Sequence, residues 1–284
     1  MRSDLRWMIP ASIGAGALIA FFQPEFFATG WLVFSLVILL GLAALVALWR
    51  WAGGGRTLAW IIALAFLLRL ATGIALTTLL PVYGSDAEQS KDGYIFTDSW
   101  RRDRDAWALA KSDFSILSGF KNEEFSGDQY GGLMAVSAFA YRYLSPDAHR
   151  PTLIILMSAL VSAMAIPFLW KAATVAWGVR IAIPAAWILA LYPESILLGS
   201  SQMREPFLIT FVVMLFLGLV TWKDNRRSAS CWMVGGVLGM LLFNPSVAIF
   251  VLVIAVAFVP LIVTPFTNAR RFSRYRNASS GTFG

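Results

Sequence analysis

The chain has 284 residues, of which 58% are hydrophobic and only 14% are charged. A soluble domain carries about 25% charged residues, so this composition excludes a water-soluble globular domain and predicts a polytopic membrane protein. The net charge of +7 does not indicate nucleic-acid binding, because most basic residues fall in short loops between apolar segments, where they set orientation in a membrane. We therefore expect membrane lipids as partners and no nucleic acid; the sequence does not predict an oligomeric state.

Eight apolar segments have the composition of membrane-spanning helices, which need about 20 mainly apolar residues. They cover residues 7–22, 31–49, 57–80, 152–170, 177–192, 206–222, 230–243 and 245–265. The first, fifth and seventh are short. The predicted fold is an all-α, polytopic transmembrane helix bundle of about eight spans, with one large external loop that carries interfacial helices.

The sequence leaves alternatives open at two places, the first segment and the junction of the last two. The first follows a basic start and has the character of a signal peptide, but no small-x-small cleavage site precedes Trp31, so we expect a retained span. Between the last two segments, Asn244-Pro245 predicts either a tight reversal or a kink in one long helix.

The distribution of Lys and Arg predicts the orientation. The short loop 23–30 has no Lys or Arg. The basic residues that flank the other short loops fall on one side if the span count is right, and the positive-inside rule makes that side the cytoplasm. We expect an integral plasma (inner) membrane protein with both termini cytoplasmic and residues 82–151, here called the polar loop, outside. The basic residues concerned are Arg2, Arg6, Arg50, Arg56, Lys171, Arg180, Lys223, Arg226, Arg227, Arg270, Arg271, Arg274 and Arg276.

The polar loop itself predicts two helices. Thr97-Asp98-Ser99 is a capping sequence for a helix that runs to about residue 112. The glycine-rich segment 127–132 breaks the chain, and residues 133–144 then predict a short helix at the outer interface. The Ser- and Gly-rich segment 277–284 predicts disorder, and the sequon at Asn277 is discounted because it should face the cytoplasm.

Three carboxylates at the start of the first loop helix, Asp98, Asp103 and Asp105, are candidate catalytic residues. Asp98 and Asp105 are separated by about two turns and share a face. The helix dipole keeps Asp98 ionised, which favours a general base. The alternative is helix capping with Arg–Asp pairs on a solvated surface. Asp103-Arg-Asp105 also spells a D-x-D tripeptide, which can bind a divalent cation. A single histidine, His149, and a single cysteine, Cys231, argue against a zinc site of the usual kind. We predict no metal site and no required cofactor.

A second set of polar residues lies at or within predicted spans. Gln202, Arg204 and Glu205 stand at the outer start of the sixth segment, where Arg204 could bind a lipid phosphate or form a snorkelling pair with Glu205. Arg69 lies near the middle of the third segment, where it either serves a site or binds backbone carbonyls of neighbouring helices. His149 is interpreted as an interfacial residue, and Trp100 and Trp107 are candidates for sugar stacking.

Four short patterns follow one another along the chain: Leu67-Leu-Arg69-Leu, Asp103-Arg-Asp-Ala-Trp107, Ala190-Leu-Tyr-Pro-Glu194 and Ser201-Gln-Met-Arg-Glu205-Pro. In this order they resemble the GT-C superfamily of integral-membrane glycosyltransferases, which includes protein O-mannosyltransferases and the aminoarabinose lipid A transferase. The resemblance covers about residues 57–222, and the chain departs from the family in having fewer spans.

The resemblance implies a polyprenyl-phosphate-linked sugar donor and transfer to an acceptor on the outer face. It implies that an acidic residue of the polar loop acts as base, and this position falls on Asp98 or Asp103. The usual acidic pair is broken here by Arg104. Arg204, Glu205, Gln202, Arg69 and Trp107 are the expected substrate-binding residues, with the two arginines neutralising the leaving phosphate.

The resemblance also divides the chain into three parts. Residues 1–56 form an N-terminal two-span addition, 57–265 the membrane core with the polar loop, and 266–284 a basic cytoplasmic tail. Two other functions stay open: a lipid-linked-sugar flippase or transporter, which would place polar groups near mid-membrane, and a non-catalytic membrane partner that retains the scaffold.

Overall fold

A computed structural model describes residues 2–23, 26–120 and 131–263 of the chain. Every regular element in these ranges is helical. The predicted tail 266–284, the sequon at Asn277 and residues 127–130 of the predicted chain break lie outside the described residues. The helices are α1 (Arg2–Phe21), α2 (Phe27–Ala52), α3 (Gly55–Tyr83), α4 (Glu88–Lys91), α5 (Thr97–Lys111), α6 (Gly132–Phe139), α7 (Pro151–Trp177), α8 (Val179–Leu191), α9 (Pro193–Gly199), α10 (Glu205–Thr221), α11 (Arg226–Phe243) and α12 (Pro245–Val263), with a 3-10 helix at Ile116–Phe120 and a π-helical turn at Ala140–Leu144.

Among the described residues, three helices, α2, α3 and α7, are long and apolar enough to cross a membrane, and a fourth span results if α8 and α9 are one span bent by 55°. All eight predicted segments are helical, so the all-α prediction is confirmed. The remaining candidates are shorter: the apolar parts of α1, α10 and α12 have 10–17 residues, and α11 begins with two arginines. The count of about eight spans therefore stays a prediction.

Side-chain contacts show which helix connections lie at the same end of the bundle. At one end Gln23 Nε2 donates to Thr152 Oγ1 at 2.8 Å, and Arg102 of the polar loop donates to the Gln202 carbonyl at 2.9 Å. At the opposite end the ring of Trp51 lies 5.8 Å from that of Phe168 and 5.2 Å from that of Trp232. The α1–α2 turn, the starts of α7 and α10 and the polar loop thus share an end, as the alternating charge pattern requires.

Helix α7 forms the centre of the bundle. It packs against α2, α3, α8 and α10, and 78% of its most apolar stretch is buried. A helix that is apolar on all sides is suited to such a position because it has no face to present to water. Small residues on α7, including Ser158, Ala159, Ser162 and Ala163, let the neighbouring helices approach closely.

Two proline-associated breaks interrupt the helices. Asn244 is extended between α11 and α12, and its Oδ1 accepts the Val247 amide at 3.1 Å as an N-cap. The kinked-helix alternative is therefore wrong, because Pro245 begins a separate helix. Tyr192 separates α8 from α9, and Pro193 begins α9 without a side-chain cap.

The polar loop contains the two predicted helices. The first runs from Thr97 to Lys111, as expected, but the capping prediction was wrong: Phe96 is the N-cap residue and no side chain caps it. The second comprises α6 and the π-helical turn. Gly131 precedes it with φ +74°, and a Cβ at Gly132 would lie 1.9 Å from the Leu242 carbonyl oxygen, so this helix starts against the end of α11.

Candidate functional site

Helix α5 has two chemically different faces. Both faces, together with the elements packed against them, form the candidate site. The outer face carries Trp100, Arg104, Trp107 and Lys111, which follow the i, i+4, i+7 spacing of one helix surface. The buried face carries Arg102 and Asp103 among small and apolar residues. A carboxylate on the buried face needs partners, because an isolated buried charge is very costly.

Asp103 is fully buried and lies at the centre of a polar cluster. The Tyr94 hydroxyl donates to its Oδ2 at 2.5 Å, and the Tyr141 hydroxyl donates to its Oδ1. His149 Nε2 lies 2.7 Å from Oδ2. Three residues from separate parts of the polar loop therefore converge on one carboxylate.

The His149 ring is held between two aromatic rings. It stacks on Trp107 with centroids 5.0 Å apart and an interplanar angle of 26°, and it meets the Tyr141 ring edge-on at 5.0 Å. The N–H direction of Nε2 does not satisfy hydrogen-bond geometry toward Asp103, whereas the 2.7 Å separation is that of a charge-assisted hydrogen bond. The pair is therefore an ion-pair contact defined by its separation, and not a formed hydrogen bond.

The two phenols stay protonated in this environment. Burial raises the pKa of Tyr94 and of Tyr141 far above the usual value of a phenol, and the negative charge of Asp103 raises both further. The Gln202 side chain acts in the opposite direction on both. Tyr94 and Tyr141 are thus permanent donors to the carboxylate.

A second layer connects this cluster to the start of α10. Gln202 is 3% exposed and its Nε2 donates to the Pro151 carbonyl at 3.3 Å. The backbone carbonyl of Gln202 accepts a hydrogen bond from the Arg102 guanidinium at 2.9 Å. Gln202, predicted to bind substrate, therefore lies behind Asp103 and ties α5 to α7 and α10.

An open cleft of about 630 Å³ lies over the cluster. This is within the range of about 300–1,000 Å³ that is usual for small-molecule sites. Trp100 Nε1 donates to Asp92 Oδ2 at 2.7 Å, and the Arg104 guanidinium lies 4.8 Å from the centre of the Trp100 ring. The cleft is lined by Asp92, Tyr94, Trp100, Arg104, Trp107, His149 and Pro151.

The other predicted acidic and boundary residues lie elsewhere. Asp98 is exposed in the first turn of α5 and Asp105 is half-buried. Arg204 Nε lies 3.9 Å from Glu205 Oε1 at the start of α10, with side chains 20% and 35% exposed. Within the described ranges, Arg204 and Glu205 do not line the cleft. Of the predicted residues, the structure brings together Asp103, Trp107 and Gln202.

Arg69 is fully buried, and each of its five N–H donors has an acceptor. Nε donates to Ser162 Oγ at 2.8 Å, and the two terminal nitrogens bond to backbone carbonyls and to Ser195 Oγ at 2.8 Å. Gly199 makes room for the guanidinium, since a Cβ there would lie 2.8 Å from Arg69 Cδ. This geometry favours the structural alternative for Arg69. The carbonyls are those of Ala65, Leu189 and Ala190.

Two further arginines, Arg150 and the half-buried Arg142, were not singled out in the sequence. Arg150 is 1% exposed and binds Asp147 through both terminal nitrogens, at 2.7 and 3.0 Å, and the Phe26 carbonyl at 3.2 Å. Arg142 donates to four carbonyls at the end of α5, including Leu109 at 2.5 Å and Ala110 at 3.0 Å. Arg142 therefore holds parts of the polar loop together, and Arg150 ties the end of the loop to the α1–α2 turn through the Phe26 carbonyl.

The described residues offer no group of three His, Cys, Asp or Glu side chains that could hold a metal ion. Asp103 and Asp105 are two residues apart on one helix, so they point in directions about 200° apart. They do not converge on a common ligand, and the D-x-D tripeptide does not act as a chelating pair within α5.

No protein-family model, curated protein or solved structure matches this chain.

Proposed function

We propose that this protein is a membrane glycosyltransferase that moves a sugar from a polyprenyl-phosphate-linked donor to an acceptor on the outer face of the membrane. The observation that carries the proposal is the buried Asp103 cluster beneath a cleft walled by Trp100 and Trp107. The two tryptophans give the cleft an aromatic wall against which a sugar can pack beside Arg104 and His149, while the carboxylate cluster offers a route for the acceptor proton.

The proposal includes the eight-span topology. Most basic residues of the short connections lie at the opposite end around Trp51 and Trp232, among them Arg50, Lys171 and Arg227, whereas the short connections at the polar-loop end contribute Arg204. The positive-inside rule then places the polar loop outside and both termini in the cytoplasm. A polyprenyl-phosphate donor embedded in the outer leaflet would present its sugar to the cleft from the membrane side.

Each polar group has a distinct role in the proposal. Trp107 and Trp100 hold the sugar, and Asp103 anchors the groups that accept the proton. Arg204 stands at the bundle boundary, partly exposed, where a guanidinium can neutralise a phosphate as the glycosyl bond breaks. Arg69 is left out of the site because its donors are engaged within the bundle.

The proposal is tested with purified protein in liposomes that contain radiolabelled polyprenyl-phosphate hexoses and pentoses. The expected result is release of polyprenyl phosphate and appearance of the label on a water-soluble or lipid acceptor. Intact donor with every sugar tested, in protein that unfolds cooperatively on heating, would contradict the proposal and favour the non-catalytic partner.

A second candidate function, a lipid-linked-sugar flippase or transporter, is favoured by one observation. Helices α8 and α9 form a broken apolar segment bent by 55°, and buried Arg69 binds the carbonyls at the break. Discontinuous helices of this kind form the sites of many transporters. In the same liposomes a transporter would move intact donor between leaflets, which makes the two functions separable in one preparation.

A further inference from the structure

We propose that His149, and not Asp103, is the group that takes the proton from the acceptor hydroxyl. The inference rests on the proposed glycosyl transfer and names the proton acceptor within that same site. It makes Asp103 a positioning residue that fixes the imidazole.

Asp103 cannot reach an acceptor in this arrangement. Its side chain has no exposed surface, and both of its oxygens are engaged, Oδ1 by Tyr141 and Oδ2 by Tyr94 and His149. A general base must come within about 2.6–3.2 Å of the group that it deprotonates. Tyr94 and His149 stand between the carboxylate and the cleft that they line.

His149 has the exposure and the constraint that the role requires. Its side chain is 30% exposed and lines the cleft. Its Nε2 is buried toward Asp103, so a neutral ring that carries its proton on Nε2 leaves Nδ1 as the acceptor. Trp107 and Tyr141 hold the ring plane, and a base held in one orientation by a carboxylate is the arrangement that general-base catalysis uses.

The proposed step conserves atoms and charge. The acceptor hydroxyl oxygen forms a bond to the anomeric carbon of the donor sugar as the bond from that carbon to the phosphate oxygen breaks. The electron pair of the broken bond leaves with the polyprenyl phosphate, and the hydroxyl proton passes to His149 Nδ1. The Asp103 carboxylate, 2.7 Å from Nε2, places a negative charge beside the positive charge that the ring gains in this step.

The test uses the fact that the chain has a single histidine. Wild-type protein without a histidine tag, active in the liposome assay, is treated with diethyl pyrocarbonate and then with hydroxylamine, which removes the modification from imidazole. Modification is expected to lower kcat about 10²-fold or more, the usual contribution of a positioned base, and hydroxylamine is expected to restore it.

Two variants separate catalysis from folding. His149→Ala is expected to lose kcat with little change in the KM for donor, and added imidazole is expected to restore part of the rate through the open cleft. Tyr143→Phe, at an exposed ring of the same loop, is the control and keeps wild-type kcat. An active wild type whose kcat survives full modification, or a folded His149→Ala variant with wild-type kcat, would overturn the inference alone. A wild type that transfers no sugar would instead overturn the proposed function.

Discussion

His149 Nε2 lies 2.7 Å from Asp103 Oδ2, although α5 and the segment before α7 bring the two residues from different parts of the polar loop. The pair joins a carboxylate with no exposed surface to a ring that reaches the cleft.

The contributions of Tyr94 and Tyr141 to the free energy of unfolding are expected to be coupled. Tyr141→Phe and Tyr94→Phe each remove a donor from a buried carboxylate, and each should lower the free energy of unfolding by about 1–3 kcal/mol. Because both hydroxyls bind the same carboxylate, the double variant should depart from additivity by about 0.5–3 kcal/mol. Thermal or denaturant unfolding in detergent measures the cycle, with Tyr143→Phe as the exposed control. Full additivity would show that the two phenols act independently.

Arg69 is expected to stabilise the break between α8 and α9. Arg69→Leu leaves the Leu189 and Ala190 carbonyls without their donors, at a cost of about 1–3 kcal/mol for each buried group left unsatisfied. Arg69→Lys keeps the charge but offers three donors in place of five, so its Tm should lie between those of Arg69→Leu and the wild type. Arg56→Ala, at an exposed arginine, is the control. Equal Tm values for Arg69→Leu and the wild type would contradict the structural role.

The Asp147–Arg150 pair predicts a pH dependence of stability. The hydrogen bonds from Arg150 lower the pKa of Asp147 to about 2. A carboxyl whose pKa is lower in the folded state stabilises the fold above its unfolded pKa, and that contribution is lost as the pH falls toward the folded value. The Tm difference between wild type and Asp147→Asn should therefore be constant above about pH 4 and shrink toward pH 2. A difference that persists unchanged to pH 2 would contradict this account.

Much of the fold followed from the sequence, and the centre of the site did not. The apolar segments predicted where α1, α2, α3, α7, α8, α10, α11 and α12 lie, and the composition of residues 97–111 predicted α5, because these are local properties. The position of Asp103 on the buried face of α5, by contrast, depends on Tyr94, Tyr141 and His149, which converge only after the polar loop folds against the bundle. The sequence alone indicated an interfacial residue at His149, because a single histidine does not reveal which residues the fold brings next to it.

The topology is expected to place the polar loop outside. In a Cys231→Ser background, Asp113→Cys in the polar loop and Asp224→Cys at the opposite end both occupy exposed positions. A membrane-impermeant maleimide added to intact cells should label position 113 and should label position 224 only after permeabilisation. The reverse pattern would place the cleft in the cytoplasm and would remove the basis for transfer on the outer face.

The most direct test of the account compares Asp103→Asn with Asp113→Asn in the liposome transfer assay. Both changes remove one negative charge from the polar loop, but only Asp103 is buried in the cluster. The account predicts that Asp103→Asn lowers transfer from a polyprenyl-phosphate sugar by about 10²-fold or more, while Asp113→Asn keeps the wild-type rate. Wild-type transfer by a folded Asp103→Asn variant would contradict the assignment of this cluster as the site.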